Sequence, residues 1–121
     1  MKLLFTLLIC TSLLFKPNGT TQVSYYAKSI TGKKTANGER FHSDSLTCAS
    51  PSLPFGTKIK LTNPDTKKEV IVRVNDRGPW SYINGKRIPH TKRGFDISLA
   101  AFKTLGNPSQ GILQVEYQVL K

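Results

Sequence analysis

Two acidic positions stand where packing asks for no polar side chain. Asp76 lies in Asn75-Asp76-Arg77-Gly78-Pro79, directly after the apolar run Val70-Ile71-Val72-Arg73-Val74. A carboxylate fixed at a strand end, with a cation beside it and a Gly-Pro break behind it, is placed for acid chemistry. The same residues also fit a structural role, in which Asp76 binds turn amides and Arg77 pairs with it. Glu39 leaves the turn at Asn37-Gly38 in Thr35-Ala36-Asn37-Gly38-Glu39-Arg40-Phe41. Asn-Gly is a strong turn signal and presents the side chain that follows it. The ordinary alternative for Glu39 is a solvated carboxylate paired with a nearby lysine or arginine. A third acid, Asp96, sits in Gly94-Phe95-Asp96-Ile97-Ser98, just before a helix signal, where an acid also stabilises a helix start through the dipole.

Other chemistries find less support. His42 and His90 lack metal-ligand spacing and Cys48 has no matched base, so neither a metal site nor thiol catalysis is expected. There is no glycine-rich phosphate loop, and no cofactor is expected.

The elements that must position these acids are mostly strands. Residues 58–61 and 113–119 alternate polar with apolar, as strands with one buried face do. Residues 69–74 are more continuously apolar, which predicts a central strand buried on both sides. Between them Asn63-Pro64-Asp65-Thr66 is turn chemistry and predicts a hairpin. One helix is predicted over 99–105: Ser98 caps it, Leu99, Phe102 and Leu105 share a face, Gly106 ends it in a left-handed conformation, and Pro108 prevents continuation. The reading is one mainly β domain, of a size that often closes into a barrel.

The amino terminus is of another kind. Lys2 precedes an uncharged apolar run over residues 3–15, too short for the roughly 20 residues of a spanning helix. It reads as a secretory leader over residues 1–20, with the domain over 21–121 and the mature start placed between about Gly19 and Val23. Cys10 is followed by more apolar residues and preceded by Ile9 rather than a small residue, so no lipid anchor is expected. Once Cys10 leaves, Cys48 has no disulfide partner. The formal net charge of +11 favours an anionic partner. Export makes nucleic acid the least suitable of these, leaving acidic membranes and acidic glycans.

Five motifs in order make the chain recognisable. Ser24-Tyr25-Tyr26, Thr35-Ala36-Asn37-Gly38-Glu39-Arg40-Phe41, Leu53-Pro54-Phe55-Gly56-Thr57, Val72-Arg73-Val74-Asn75-Asp76-Arg77-Gly78-Pro79 and Phe95-Asp96-Ile97-Ser98 together closely resemble the RlpA-like (rare lipoprotein A) family. The resemblance implies a six-stranded double-psi β-barrel with one or two short helices and a groove for a polysaccharide strand. It further implies an endolytic peptidoglycan lytic transglycosylase of the periplasm or cell surface, acting on peptide-poor glycan strands, with cell-division or wall-synthesis proteins as further partners and a monomeric state. Glu39 and Asp76 match two acidic positions that the family uses for activity. Ser50 occupies the place of a family histidine and cannot carry a proton charge near neutral pH as histidine can. The expected substrate-binding set is Asn75, Arg77, Asp96, Tyr26, Ser50, Trp80 and Tyr82. The last two belong to a stretch over 80–94 longer than the family's usual connection, whose aromatics could stack on sugars while Lys86, Arg87, Lys92 and Arg93 meet carboxylates. The rival reading is a non-catalytic, expansin-like module that binds the wall.

Overall fold

The computed structural model describes residues 17–121, so most of the expected leader lies outside the described residues. Among the described residues eight strands are present: β1 (Gly19–Tyr25), β2 (Thr47–Ala49), β3 (Lys58–Thr62), β4 (Glu69–Asp76), β5 (Trp80–Ile83), β6 (Lys86–Pro89), β7 (Arg93–Ile97) and β8 (Leu113–Leu120). Six of them close into a barrel in the order β1-β7-β2-β4-β3-β8, and β5 and β6 form a separate two-stranded ribbon. The closed barrel matches the expected six strands.

The alternation read in the sequence positions the core. Ile59 and Leu61 of β3, Val72 and Val74 of β4, and Val115 of β8 are at most 1% exposed, together with Val23 and Ile97. Each such side chain contributes roughly 1.5–3 kcal/mol on burial. Contrary to expectation, β4 is not buried on both faces. Ile71 is 46% exposed, because a barrel turns one face of every strand inward and this one carries no cover outside.

The hairpin between β3 and β4 forms as predicted, with the Asn63 side chain accepting from the Asp65 amide at 3.0 Å and Lys67 at φ 65°. Helix α1 (Leu99–Leu105) is capped by Ser98, whose Oγ accepts from the Ala101 amide at 3.3 Å. Its buried face, Leu99, Phe102 and Leu105, completes the core. Gly106 does not take the expected left-handed conformation; its φ of −173° is extended. Glycine is needed there for space instead. A Cβ would lie 2.9 Å from Gln110 Oε1 and 3.0 Å from a Leu113 methyl.

Two irregularities re-aim side chains. Along β2 and β4, Cys48 pairs with Val74 but Ala49 pairs with Asp76, so Asn75 is an extra residue. Val70, Val72 and Val74 point inward, and unbroken alternation would send Asp76 into the core. The bulge turns it to the outer face instead, a recognised use of such features. Between β1 and β7 the partners step from Gln22↔Arg93 to Val23↔Phe95, which passes over Gly94.

The stretch over 80–94 is an ordered ribbon rather than a loose loop. Asn84 and Gly85, at φ 52° and 76°, make its turn. Positive φ at both central residues is the mirror-image turn that suits twisted strands.

Candidate active site: an acid row on the outer face of the barrel

Four strands bring the candidate residues into one lateral row. Ser24 pairs with Asp96 across β1 and β7, Asp96 with Ala49 across β7 and β2, and Ala49 with Asp76 across β2 and β4. Lateral neighbours in a sheet share a face, so both aspartates flank Ala49 on the barrel exterior. Two strand spacings separate their backbones by about 10 Å.

Asp76 is held by three hydrogen bonds. Its Oδ1 accepts from the amides of Ala36 and Arg77, each at 2.9 Å, and its Oδ2 from the Tyr26 hydroxyl at 2.7 Å. Tyr26 is fixed in turn by stacking on Phe41, with ring centroids 4.6 Å apart and planes 11° from parallel. Burial, and next the Asp76 carboxylate, push the Tyr26 phenol far above its ordinary range, so it is a permanent proton carrier at this position. Both lone-pair directions of Oδ1 are met by main-chain amides, which leaves Oδ2 the freer oxygen.

Glu39 reaches the same region from the Asn37-Gly38 turn. Asn37 N–H donates to the Asn75 carbonyl at 3.2 Å, docking the turn on the end of β4. The carboxylate is gripped by Arg73: Nη1 donates to Oε1 at 2.6 Å, Nη2 to Oε2 at 2.8 Å, and Asn37 Nδ2 adds a bond to Oε1 at 2.7 Å. The Arg73 hydrogen bonds, then that from Asn37, lower its pKa from 4.5 to about 2, with a smaller contribution from Asn75. Glu39 is therefore an ionised group at neutral pH.

A group whose folded pKa is depressed adds stability above its unfolded value and loses it as pH falls toward the folded one. The Glu39–Arg73 contribution is thus complete at pH 7, declines below about pH 4.5 and is gone near pH 2. With the two side chains 40% and 39% exposed, solvent screening limits it to about 1 kcal/mol. The melting-temperature difference between wild type and Glu39→Gln should be full at pH 7, shrink below about pH 4.5 and vanish near pH 2; a constant difference would refute this origin.

Asp96 takes a hydrogen bond from the Ser24 hydroxyl at 2.5 Å and one from Arg93 Nη1 at 3.2 Å, both on Oδ1. Arg93 Nη1 also donates to Ser24 Oγ at 2.6 Å. The hydrogen bonds on Asp96 thus come from Ser24 and Arg93 rather than from helix amides, and the Ser98 hydroxyl caps α1.

Arg77 does not pair with Asp76. Its Nη1 donates to the carbonyls of Ser50 and Leu53 at 3.2 and 2.8 Å, and its guanidinium lies 4.0 Å from the centroid of the Phe55 ring. It staples the 50–53 loop beside the acid. Ser50 is 1% exposed, and its Oγ accepts from the Leu53 amide at 3.1 Å, while its own amide donates to the Asp76 carbonyl at 3.1 Å. Buried in this way, Ser50 presents no donor to a ligand, whereas Arg77 is part-buried and spends only Nη1 on the loop. Asn75, 2% exposed, serves through its carbonyl, which accepts from the Asn37 amide, and through its side chain, which helps to hold Glu39 ionised. Trp80 stands beside Gly78, under the Arg87 guanidinium at 4.2 Å, and Tyr82 is 71% exposed.

Sequence reasoning did not single out Arg73, Ser24 or Arg93 as partners of the acids. For Arg73 a signal existed: a lone charge inside Val72-Arg73-Val74 on a barrel strand must point outward. Ser24 and Arg93 become neighbours only through the parallel pairing of β1 with β7.

Comparison with known proteins agrees with this architecture. The lytic transglycolase family model matches residues 18–117. The endolytic peptidoglycan transglycosylase RlpA of Haemophilus influenzae is 40% identical over 97 residues, covering 80% of this chain and 31% of that protein. RlpA of Neisseria meningitidis serogroup A is 37% identical over 99 residues, covering 82% and 38%. The chain spans between 24% and 38% of the length of such curated relatives. An expansin of Clavibacter michiganensis superposes with a TM-score of 0.62 at 22% identity, covering 85% of this chain and 50% of that one. At that identity the likeness speaks for the fold alone. The six-stranded barrel is a double-psi β-barrel, and the chain belongs to the RlpA-like lytic transglycolase family.

Proposed function

We propose that this domain is an endolytic lytic transglycosylase that cleaves the bond between muramic acid and glucosamine in peptide-poor peptidoglycan strands. Asp76 is the proton donor to the glycosidic oxygen, and the muramic acid's own hydroxyl closes an anhydro ring. One observation carries this: the Asp76 carboxyl stands on the outer face with Oδ1 fixed by two amides and Oδ2 against a phenol. That orients the carboxyl and leaves the outer lone pair of Oδ2 as the place for a transferable proton, in support of the preorganisation general acid catalysis requires. Glu39, already ionised and chelated by Arg73, acts by holding the 35–39 turn whose Ala36 amide grips Asp76. The relatives named as endolytic peptidoglycan transglycosylases support the substrate. Incubation of the purified domain with peptide-stripped sacculi tests the reading by release of anhydro-ended glycans.

A second reading has its own observation. Ser50, in the place of the family histidine, spends its hydroxyl inside its own turn, which suits a module that binds the wall without cutting it. Binding that persists with no product would select it.

The ribbon serves either reading as a substrate arm. Trp80 and Tyr82 share one of its faces, two residues apart, with Arg87 opposite Tyr82. Tyr82→Ala should weaken sacculus binding about tenfold in a pull-down, the loss of one stacking contact of roughly 1–1.5 kcal/mol. Unchanged binding would mean that the ribbon does not hold the substrate.

The site of action is the periplasm or bacterial cell surface, reached by the leader, with cell-wall organisation as the role, as a monomer and alongside division or wall-synthesis proteins. Strand β1 begins at Gly19, and the Asn18 amide already donates to the Tyr117 carbonyl at 2.7 Å. That supports leader removal upstream of Asn18 rather than after Thr20.

A further inference from the structure

Between Asp76 and Asp96 the sequence has no acid, only the cations Arg77, Lys86, Arg87, Lys92 and Arg93. Two of these are engaged beside the acid row, Arg77 through Nη1 on the 50–53 loop and Arg93 on Ser24 and Asp96. Arg87 is exposed on the ribbon, and the ion pairs among the described residues use Lys60, Arg73 and Arg93 instead. We infer that Arg87 reads the free lactyl carboxylate of muramic acid and so sets the preference for peptide-poor strands. The inference rests on peptidoglycan as the substrate of this site.

The ribbon's register places Arg87 for this task. Tyr82 faces Arg87 and Trp80 faces Pro89, so Trp80, Tyr82 and Arg87 share one face of the ribbon. Lys86, opposite Ile83, lies on the other. The Arg87 guanidinium stands 4.2 Å from the centroid of the Trp80 ring. An indole holds a cation through its π charge and does not neutralise it, so the charge is positioned yet kept for a ligand. A guanidinium matches a carboxylate with two parallel hydrogen bonds. Beside it Tyr82, 71% exposed, offers a ring to the apolar face of a sugar.

The chemistry of the strand makes this a test of its peptide content. Where a muramic acid carries a peptide, its lactyl carboxyl is an amide and has no charge. Removal of the peptide leaves a carboxylate, and glucosamine has none in either case. A cation next to a stacking ring therefore separates bare from substituted muramic acid. Trp80 follows Asp76 by only four positions, at most about 14 Å of chain, so the sugar that is read lies close to the bond that is cut.

The test measures binding to peptide-stripped glycan strands and to the same strands after carbodiimide coupling to methylamine, which turns each lactyl carboxylate into a neutral amide. Wild type should bind the free strands about fivefold more tightly than the amidated ones, the upper end for one exposed ion pair. Arg87→Gln should lose most of that preference while binding amidated strands as wild type does, which also shows the variant to be folded. Lys86→Gln removes the same charge from the opposite face and should keep the preference. An Arg87→Gln protein that discriminates like wild type overturns the inference. So does a Lys86→Gln protein that loses as much as Arg87→Gln, since the preference would then be general attraction between charges. A wild type that binds neither strand overturns peptidoglycan as the substrate, and one that prefers free strands yet releases no anhydro ends overturns the transglycosylase reading alone.

Discussion

Replacing Asp76 by Asn is expected to lower release of anhydro-ended glycans from peptide-stripped sacculi by about 10² to 10⁴-fold, the range general acid catalysis supplies. That corresponds to roughly 3–5 kcal/mol of barrier. The prediction separates chemistry from architecture because an Asn side chain keeps the two amide bonds to Oδ1 and can reverse the third. Its Oδ1 can still accept from the Ala36 and Arg77 amides, and its Nδ2 can donate to the Tyr26 oxygen in the sense opposite to the present bond. Only the transferable proton is lost. Melting temperature and sacculus binding should therefore stay near wild type while turnover collapses. If Asp76→Asn kept more than a tenth of wild-type turnover, Asp76 would not be the donor. Collapse of both fold and activity would instead mark Asp76 as the structural residue of the Asn75 bulge.

The largest expected effect on stability lies in the helix that closes the core. Phe102 is 0% exposed and packs its ring against Tyr25, with centroids 4.7 Å apart and planes at 59°. Phe102→Ala should cost about 3–5 kcal/mol, the transfer term plus the cavity left behind. A domain this small has about 5–15 kcal/mol in total. Cys48, the one cysteine among the described residues, is buried and free, so no cross-link offsets the loss, and burial pushes its thiol up to about 12. The melting temperature should fall on the order of 15 °C. Ile71→Ala, at a 46% exposed position on the same barrel, should stay within about 0.5 kcal/mol of wild type. Equal effects from the two substitutions would contradict the inside-outside assignment of β4 and the helix.

These two residues also mark what the sequence could convey. Phe102 was legible because a capped amphipathic turn announces itself locally: Ser98 before it, Leu99 and Leu105 on its face. The strands with clear alternation, β3 and β8, were legible for the same reason. Strand β2 was not, since three residues, Thr47–Ala49, carry no period, and they become a strand only by lying between β7 and β4. The ribbon had a local signal in Asn84-Gly85 that composition alone obscured, because basic residues around it read as loop. Asp76 and Glu39 were visible as acids without a packing reason, and they do meet on one face. Their different states were not visible. Arg73 chelates Glu39 across 34 positions of sequence, and Tyr26 reaches Asp76 across 50, distances over which no local pattern operates. The bulge that aims Asp76 outward is likewise a property of pairing, not of composition.

On the proposed mechanism, Asp76 gives a proton to the glycosidic oxygen and the muramic acid then closes on itself. Mass spectrometry of the products released from peptide-stripped sacculi tests it most directly. The wild-type domain should release glycans that end in anhydro-muramic acid, one water lighter than hydrolysed ends, and Asp76→Asn should not. Hydrolysed reducing ends, or sacculi that bind the domain and release nothing, would contradict it.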